Sequence, residues 1–153
     1  MEADFPIWMA VELWDFGMLS HFFAGMRRPD KDKIANDYGL NGRQLETWLR
    51  CLNVVRNICA HHSRLWNRTL VNQPSIPTNN SLPDLQHVAA DTHSLRRLYA
   101  TLAILKFLLD RINPSSTWGQ RLIALIDEFP TARHISLRHA GFPNDWKEKT
   151  LWK

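Results

Sequence analysis

The residues with the clearest chemical potential lie between positions 50 and 68, in the run RCLNVVRNICAHHSRLWNR. This run has four arginines, three asparagines and two histidines, but no lysine, aspartate or glutamate. Arginine offers a planar fork that matches phosphate oxygens, and histidine can exchange a proton near neutral pH. Such groups suit the attack of an RNA 2′-hydroxyl on the adjacent phosphate, because a base removes the proton and a cation stabilises the developing charge.

The element that must position these groups is the longest helical pattern of the chain, from Gln44 to about Trp66, which has no glycine or proline. On a helix that advances about 100° per residue, its polar and apolar side chains fall on opposite arcs. Arg56 and His61 flank the polar arc, and Asn57 lies one turn before His61. We therefore predict Arg56 and His61 as catalytic residues, with Asn57 orienting His61.

The rest of the polar arc is predicted to bind RNA. The residues assigned to it are Arg50, Asn53, Arg64 and Arg68. Ordinary solvated helix faces mix lysine with glutamate, and this arc has neither. A plain amphipathic surface helix remains the alternative interpretation of the same pattern.

The second histidine of the pair has a different predicted role. His62 points into the apolar arc, so we expect a core histidine bonded to a backbone carbonyl. A zinc site made of Cys59, His61 and His62 is not expected, because the three side chains point in different directions and the sequence offers no second pair of ligands. We predict neither a metal nor a cofactor.

The composition is that of one globular domain. The chain has 153 residues, 44% hydrophobic and 22% charged, which argues against disorder. A formal net charge of +4 makes the surface mildly attractive to polyanions. Cys51 and Cys59 are expected to be small buried hydrophobes in a reducing compartment. With no apolar run of eighteen residues, we expect a cytoplasmic protein without membrane contact.

Helical periodicity predicts an all-α protein. Besides the motif helix, four helices are predicted at residues 6–25, 31–37, 95–112 and 117–129. Asp30 is the expected cap of the second, with Gly39 as its stop, and Thr117 with Gln120 is the expected capping box of the last. The apolar side chains of the last helix are expected to face inward: Trp118, Leu122, Leu125, Ile126 and Phe129. Residues 67–90 are predicted to be a long loop, either a lid or a linker. The tail from residue 131 is predicted to be irregular.

The stretch RNICAHHSRLWNR resembles the signature of the Abi-like family, the abortive infection bacteriophage resistance proteins of the AbiD/AbiF type, within the HEPN superfamily. Arg56, Asn57 and His61 match the superfamily pattern of arginine, a polar residue, three variable positions and histidine. Other segments also resemble the family: PIWMAVELWDFGMLSHFF, LYATLAILKFLLDRINPSSTW and GFPNDWKEKTLWK. The likeness covers nearly the whole chain.

The resemblance implies one HEPN-like helical bundle over residues 1–153, which forms the C-terminal part of the family's usual length. It implies a homodimer that completes the bundle and joins two motifs in one cleft. It also implies metal-independent endoribonuclease activity in phage defence or a toxin–antitoxin system, with cleavage to a 2′,3′-cyclic phosphate. Arg56 and His61 are then the active-site positions and Asn57 their polar support. RNA and an RNA or protein antitoxin are the implied partners.

Two other functions compete with RNA cleavage. The first is a non-catalytic RNA-binding or assembly module, which uses the arginines of the polar arc to hold RNA or a partner. The second is an inactive fragment that folds as a helical dimer. Retained RNA binding without any cleavage would distinguish the first from a nuclease.

Overall fold

The computed structural model describes residues 6–130 and 132–153, and these residues confirm the all-α class. The described part has eight α-helices: α1 (Ile7–Glu12), α2 (Phe16–Gly25), α3 (Arg28–Asn36), α4 (Gly42–Ala60), α5 (Gln86–Ala90), α6 (Thr92–Leu95), α7 (Leu98–Ile112) and α8 (Trp118–Asp127). Short 3₁₀ turns accompany them at Pro83–Leu85, Leu137–Ala140, Trp146–Glu148 and Thr150–Trp152. None of the helices in these ranges is long and apolar enough to cross a membrane.

The predicted N-terminal helix is divided into two. α1 ends at Glu12, and α2 begins after Asp15, whose carboxylate accepts a hydrogen bond from the Met18 backbone N–H at 2.8 Å. Aspartate at this position satisfies a free N–H of the first turn, so it favours a new helix start. The prediction of one continuous helix is wrong. Gly17 allows a close contact, because a Cβ there would lie 3.4 Å from Asn53 Oδ1 on α4.

A glycine and an asparagine define the turn between α3 and α4: Gly39 ends the first segment and Asn41 caps the next helix. Asp30 is not the cap of α3 as predicted; it lies in the first turn and accepts from Arg27 Nε at 2.9 Å. Gly39, with φ +70°, ends the segment as predicted. α4 then begins with a capping box, in which the side chains of Asn41 and Gln44 each accept from the backbone N–H of the other.

The core forms where α4 packs against α7. Trp48 and Phe107 are both fully buried and meet edge to face, with ring centroids 5.4 Å apart. Each such aromatic side chain contributes about 2–3 kcal/mol through its burial. Trp48 Nε1 also donates to the Ser75 carbonyl at 2.9 Å, so the same side chain holds the long connection after α4.

The C-terminal tail completes this core. It supplies three buried aromatic side chains: Phe142, which lies between two 3₁₀ turns, and Trp146 and Trp152, which lie within such turns. Phe142 packs against Tyr99 of α7 at a centroid distance of 4.8 Å, and Trp152 Nε1 donates to Tyr99 Oη at 2.9 Å. The tail is largely irregular, as predicted, yet it is an integral part of the fold.

Three other local predictions differ from the structure. Residues 67–90 include a 3₁₀ turn and α5, so they are not one long loop. Thr117 makes no side-chain cap bond; instead Ser116 Oγ accepts from the Trp118 backbone N–H at 3.3 Å. Leu125, predicted to face inward, has 65% of its surface exposed. α7 ends at Ile112 before Asn113 and proline, as the sequence predicted.

Candidate functional site

The motif helix ends earlier than the sequence predicted. α4 stops at Ala60 in a Schellman motif: the Ser63 N–H donates to the Ile58 carbonyl and the His62 N–H to the Cys59 carbonyl, each at 3.0 Å. His62 occupies the left-handed position after the cap, with φ +50°. The sequence did not predict this helix end, because the left-handed position after a helix is usually glycine and here it is histidine. The helical arc predicted beyond residue 60 therefore does not exist.

This helix end reverses the prediction for His62. The chain turns outward at this residue, and the His62 side chain is exposed instead of buried in the core. Cys59, also expected to be buried, is exposed, whereas Cys51 is buried with Sγ 3.3 Å from Thr101 Oγ1. Both cysteines are free thiols. Across residues 6–130 and 132–153, no three histidine, cysteine or acidic side chains are grouped as metal ligands.

Arg56 is held in place by two neighbours. Its Nη1 donates to Asn57 Oδ1 at 2.8 Å, and its Nη2 lies 3.5 Å from Oδ2 of Asp15, the N-cap residue of α2. The Arg56 side chain is still 43% exposed. The pKa of Asp15 is below its usual range, first because the Met18 N–H bonds the carboxylate and then because of the Arg56 charge. The guanidinium is thus oriented but accessible to an anion.

Asn57 has a different role from the predicted one. Its side-chain oxygen accepts from Arg56, so the side chain orients the arginine and not His61. Asn57 contacts His61 through the backbone, where its carbonyl accepts from the His61 N–H at 3.0 Å. His61 is the C-cap of α4, is exposed, and makes no side-chain hydrogen bond to any described residue. Its imidazole is therefore accessible to a ligand.

The four predicted RNA-binding residues do not all lie on α4. Arg50 is exposed on α4 but paired with Glu46 at 3.3 Å. Asn53 lies in the contact with α2, and its Oδ1 is buried without a hydrogen-bond partner in the described part of the chain. Arg64 and Arg68 are exposed in the segment after α4. The structure keeps Arg50 and Asn53 on the helix with Arg56 and places the other two beyond its end.

Sequence reasoning missed the acidic neighbours of this surface. The run from 50 to 68 lacks carboxylates, but Glu46 lies just before it and Asp15 comes from a distant part of the chain. The only sequence signal for Asp15 is its position as a helix cap before Phe16. Its proximity to Arg56 depends on the packing of α2 against α4.

Comparison with known proteins finds one informative likeness. Residues 1–67 match the family model described as Abi-like protein, and this match includes all of α1 to α4 and the motif. The resemblance seen in the C-terminal segments is outside the match. No curated protein and no solved structure matches the chain. The family is associated with abortive infection, a defence against bacteriophage. Over residues 1–67, the segment that carries the motif, the chain is similar to the Abi-like family.

Proposed function

We propose that this protein is a metal-independent endoribonuclease of an abortive infection or toxin–antitoxin system. The observation that carries the proposal is the arrangement at the end of α4. The Arg56 guanidinium is oriented by Asn57 and remains accessible, and five residues later His61 is exposed without a competing side-chain bond. A fixed cation and a free imidazole are the two groups that 2′-hydroxyl attack on phosphate requires.

The proposed reaction is a transphosphorylation. His61 accepts the proton of the RNA 2′-hydroxyl as the 2′-oxygen forms a bond to phosphorus. The bond between phosphorus and the 5′-oxygen breaks, and the leaving oxygen takes a proton from a second acid. Arg56 donates N–H bonds to the non-bridging oxygens, where negative charge increases. The products are a 2′,3′-cyclic phosphate and a 5′-hydroxyl.

The second acid is the reason for proposing a homodimer. One chain provides one histidine beside Arg56, and a second copy would supply the other. The first two helices give this proposal physical support, since they expose several large apolar side chains: Ile7, Trp8, Met9, Leu13, Met18 and Phe22. Exposed groups of large apolar side chains are typical of interaction sites. We place the contact with the second copy there, and we include an RNA or protein antitoxin as a further partner.

A metal-free cleavage assay tests the proposal. Purified protein is incubated with RNA in EDTA, and the products are analysed for cyclic phosphate ends. Arg56→Ala and His61→Ala should each reduce the rate by about 10²-fold or more, since general acid–base catalysis typically contributes 10²–10⁴-fold. His62→Ala is the matched control, because His62 is the adjacent exposed histidine, and it should keep wild-type activity. Equal rates in all four proteins would indicate a contaminating nuclease and refute the assignment.

One observation favours the alternative of a non-catalytic RNA-binding or assembly module. The Asn57 side chain orients Arg56 and not His61, so it supports anion binding more directly than proton transfer. This alternative predicts salt-sensitive RNA binding, without cleavage, that is lost in Arg56→Ala and kept in His61→Ala. The same two variants, measured for binding and for cleavage, therefore separate the two functions.

A further inference from the structure

A cleft of about 480 Å³ lies just beyond the end of α4. Its walls come from two segments, one after the motif helix and one after α8. The side chains that line it include Arg64, Trp66, Phe129, His134 and His139. The volume lies in the range of small-molecule binding sites.

The apolar part of the cleft is a pair of stacked aromatic rings. The centroids of Trp66 and Phe129 are 4.8 Å apart, and their planes differ by 23°. Trp66 is half-buried and packs against the core, so the pair is supported from below. Nearly parallel aromatic rings at a surface are a suitable platform for a planar heterocycle, because every nucleobase has a π-face that can stack.

The segment carrying Trp66 is held by hydrogen bonds to Arg96 and Arg97. Asn67, the next residue, has φ +54°, a left-handed conformation that asparagine tolerates. Arg97 Nη1 donates to both the carbonyl and Oδ1 of Asn67, at 2.8 and 2.9 Å. The Leu70 N–H donates to the Arg96 carbonyl at 2.9 Å. This wall of the cleft is therefore preorganised, which reduces the entropy lost when a ligand binds.

Three polar side chains of the cleft, from Arg64, His134 and His139, have no described partner. Arg64 and His134 are exposed and His139 is half-buried. None of their side chains makes a hydrogen bond or an ion pair within residues 6–130 and 132–153, in contrast to Arg56 and Arg50, which have carboxylate neighbours. A free arginine and two imidazoles beside an aromatic platform match the base edge and phosphate of a nucleotide.

We propose that this cleft binds one nucleobase of single-stranded RNA, close to the phosphate that reaches Arg56 and His61. That the ligand is RNA rests on the proposed function; the stacking chemistry rests on the cleft. Arg64 lies three positions after His61 in the sequence, so their Cα atoms are at most about 11 Å apart. One extended strand can therefore contact both. The sequence assigned Arg64 to a helical arc that does not exist. In this proposal Arg64 instead contributes to base binding in the cleft.

The test measures binding of a labelled single-stranded oligoribonucleotide to the full chain by fluorescence anisotropy, with His61→Ala present throughout to prevent cleavage. Replacing Trp66 or Phe129 by leucine should raise the Kd about 5- to 100-fold, the range seen when one stacked base loses its aromatic partner. Trp66→Phe should restore most of the affinity. Arg28→Ala, which removes an arginine that is 91% exposed on α3, is the matched charge control and should change little.

A ligand without bases distinguishes binding of the nucleobase from binding of the phosphate charge. Inorganic polyphosphate, which has no bases, should bind the leucine variants as well as it binds the parent. Because Trp66→Leu can also destabilise the fold, Arg64→Ala and His134→Ala at exposed positions provide a second measurement, and each should weaken RNA binding by several-fold. Unchanged RNA affinity in folded variants at all four positions would overturn the proposal. So would leucine variants that lose polyphosphate binding as much as they lose RNA binding. A peptide ligand that displaces the RNA through the cleft would also overturn it.

The outcome separates this inference from the proposed function. If the wild type cleaves RNA but the cleft variants bind normally, the cleft assignment fails and the nuclease stands. If the cleft variants lose RNA binding but the wild type never cleaves RNA, the nuclease fails and the cleft stands.

Discussion

Replacing His62 by glycine is expected to stabilise the protein. His62 has φ +50°, and its exposed side chain makes no hydrogen bond to a described residue, so the substitution removes backbone strain without removing a contact. The left-handed region costs an L-residue about 1–2 kcal/mol. Glycine avoids this cost, but it makes the unfolded chain more flexible, which reduces the gain in stability by about 0.4–1 kcal/mol. The expected net gain over alanine at position 62 is about 0.5–1 kcal/mol.

If α4 continued through residue 62, replacing His62 by glycine would make the protein less stable than replacing it by alanine. In a helix interior, glycine is less stable than alanine by about 1 kcal/mol. The motif helix predicted from sequence extends to Trp66 and would make His62 such a position. The comparison between His62→Gly and His62→Ala therefore decides where α4 ends, and with it whether His61 lies at the helix terminus.

The measurement is urea or thermal unfolding of both variants. At this chain length 1 kcal/mol changes Tm by about 2–4 °C, so His62→Gly should melt about 1–4 °C above His62→Ala. Ala60 is the internal control, since it is exposed and is the last residue of α4. Ala60→Gly should lower the Tm relative to wild type. A His62→Gly protein less stable than His62→Ala would refute the Schellman assignment.

Three further predictions follow from individual contacts. Tyr99→Phe should destabilise by about 1–3 kcal/mol in chemical denaturation, because it leaves a buried indole N–H without an acceptor; Tyr38→Phe, whose hydroxyl has no described partner, should change little. Burial lowers the pKa of His87 from 6.5 to about 4 in the folded protein. Between these two pH values the unfolded chain binds a proton that the folded protein does not bind, so Tm should fall as pH decreases from 6.5 towards 4. Asp15→Asn keeps a helix cap but removes the carboxylate beside Arg56, so RNA affinity in a binding titration should increase; a decrease would mean that the carboxylate positions the arginine for RNA.

The pH prediction has a structural basis in the same buried network. Trp152 Nε1 donates to Tyr99 Oη, which leaves the Tyr99 hydroxyl proton to bond His87 Nε2 at 2.7 Å. His87 then acts as the acceptor and is neutral. The second cause of its low pKa is the nearby Lys149 ammonium. Replacing His87 with glutamine should reduce the loss of stability between pH 6.5 and 4; an equal loss in that variant would assign the effect to another group.

The sequence by itself determined the helical class and several boundaries. Periodicity at three and four residues predicts helices because it reports which side chains share a face, and this property is local. Gly39 ends its segment and Asn113 with the following proline ends α7, since both positions restrict the backbone directly. The choice of Arg56 and His61 as site residues likewise came from local spacing and a family motif.

Only the tertiary structure decided how these residues are arranged. α4 ends at Ala60 because the chain after it turns through a left-handed histidine, and no glycine in the sequence marks that turn. Asp15 reaches Arg56 because α2 packs on α4, and Trp66 meets Phe129 across more than sixty residues of sequence. Such contacts depend on the packing of distant segments, whereas periodicity reports only neighbours along one helix. The residue types were therefore readable from the sequence, but their partners were not.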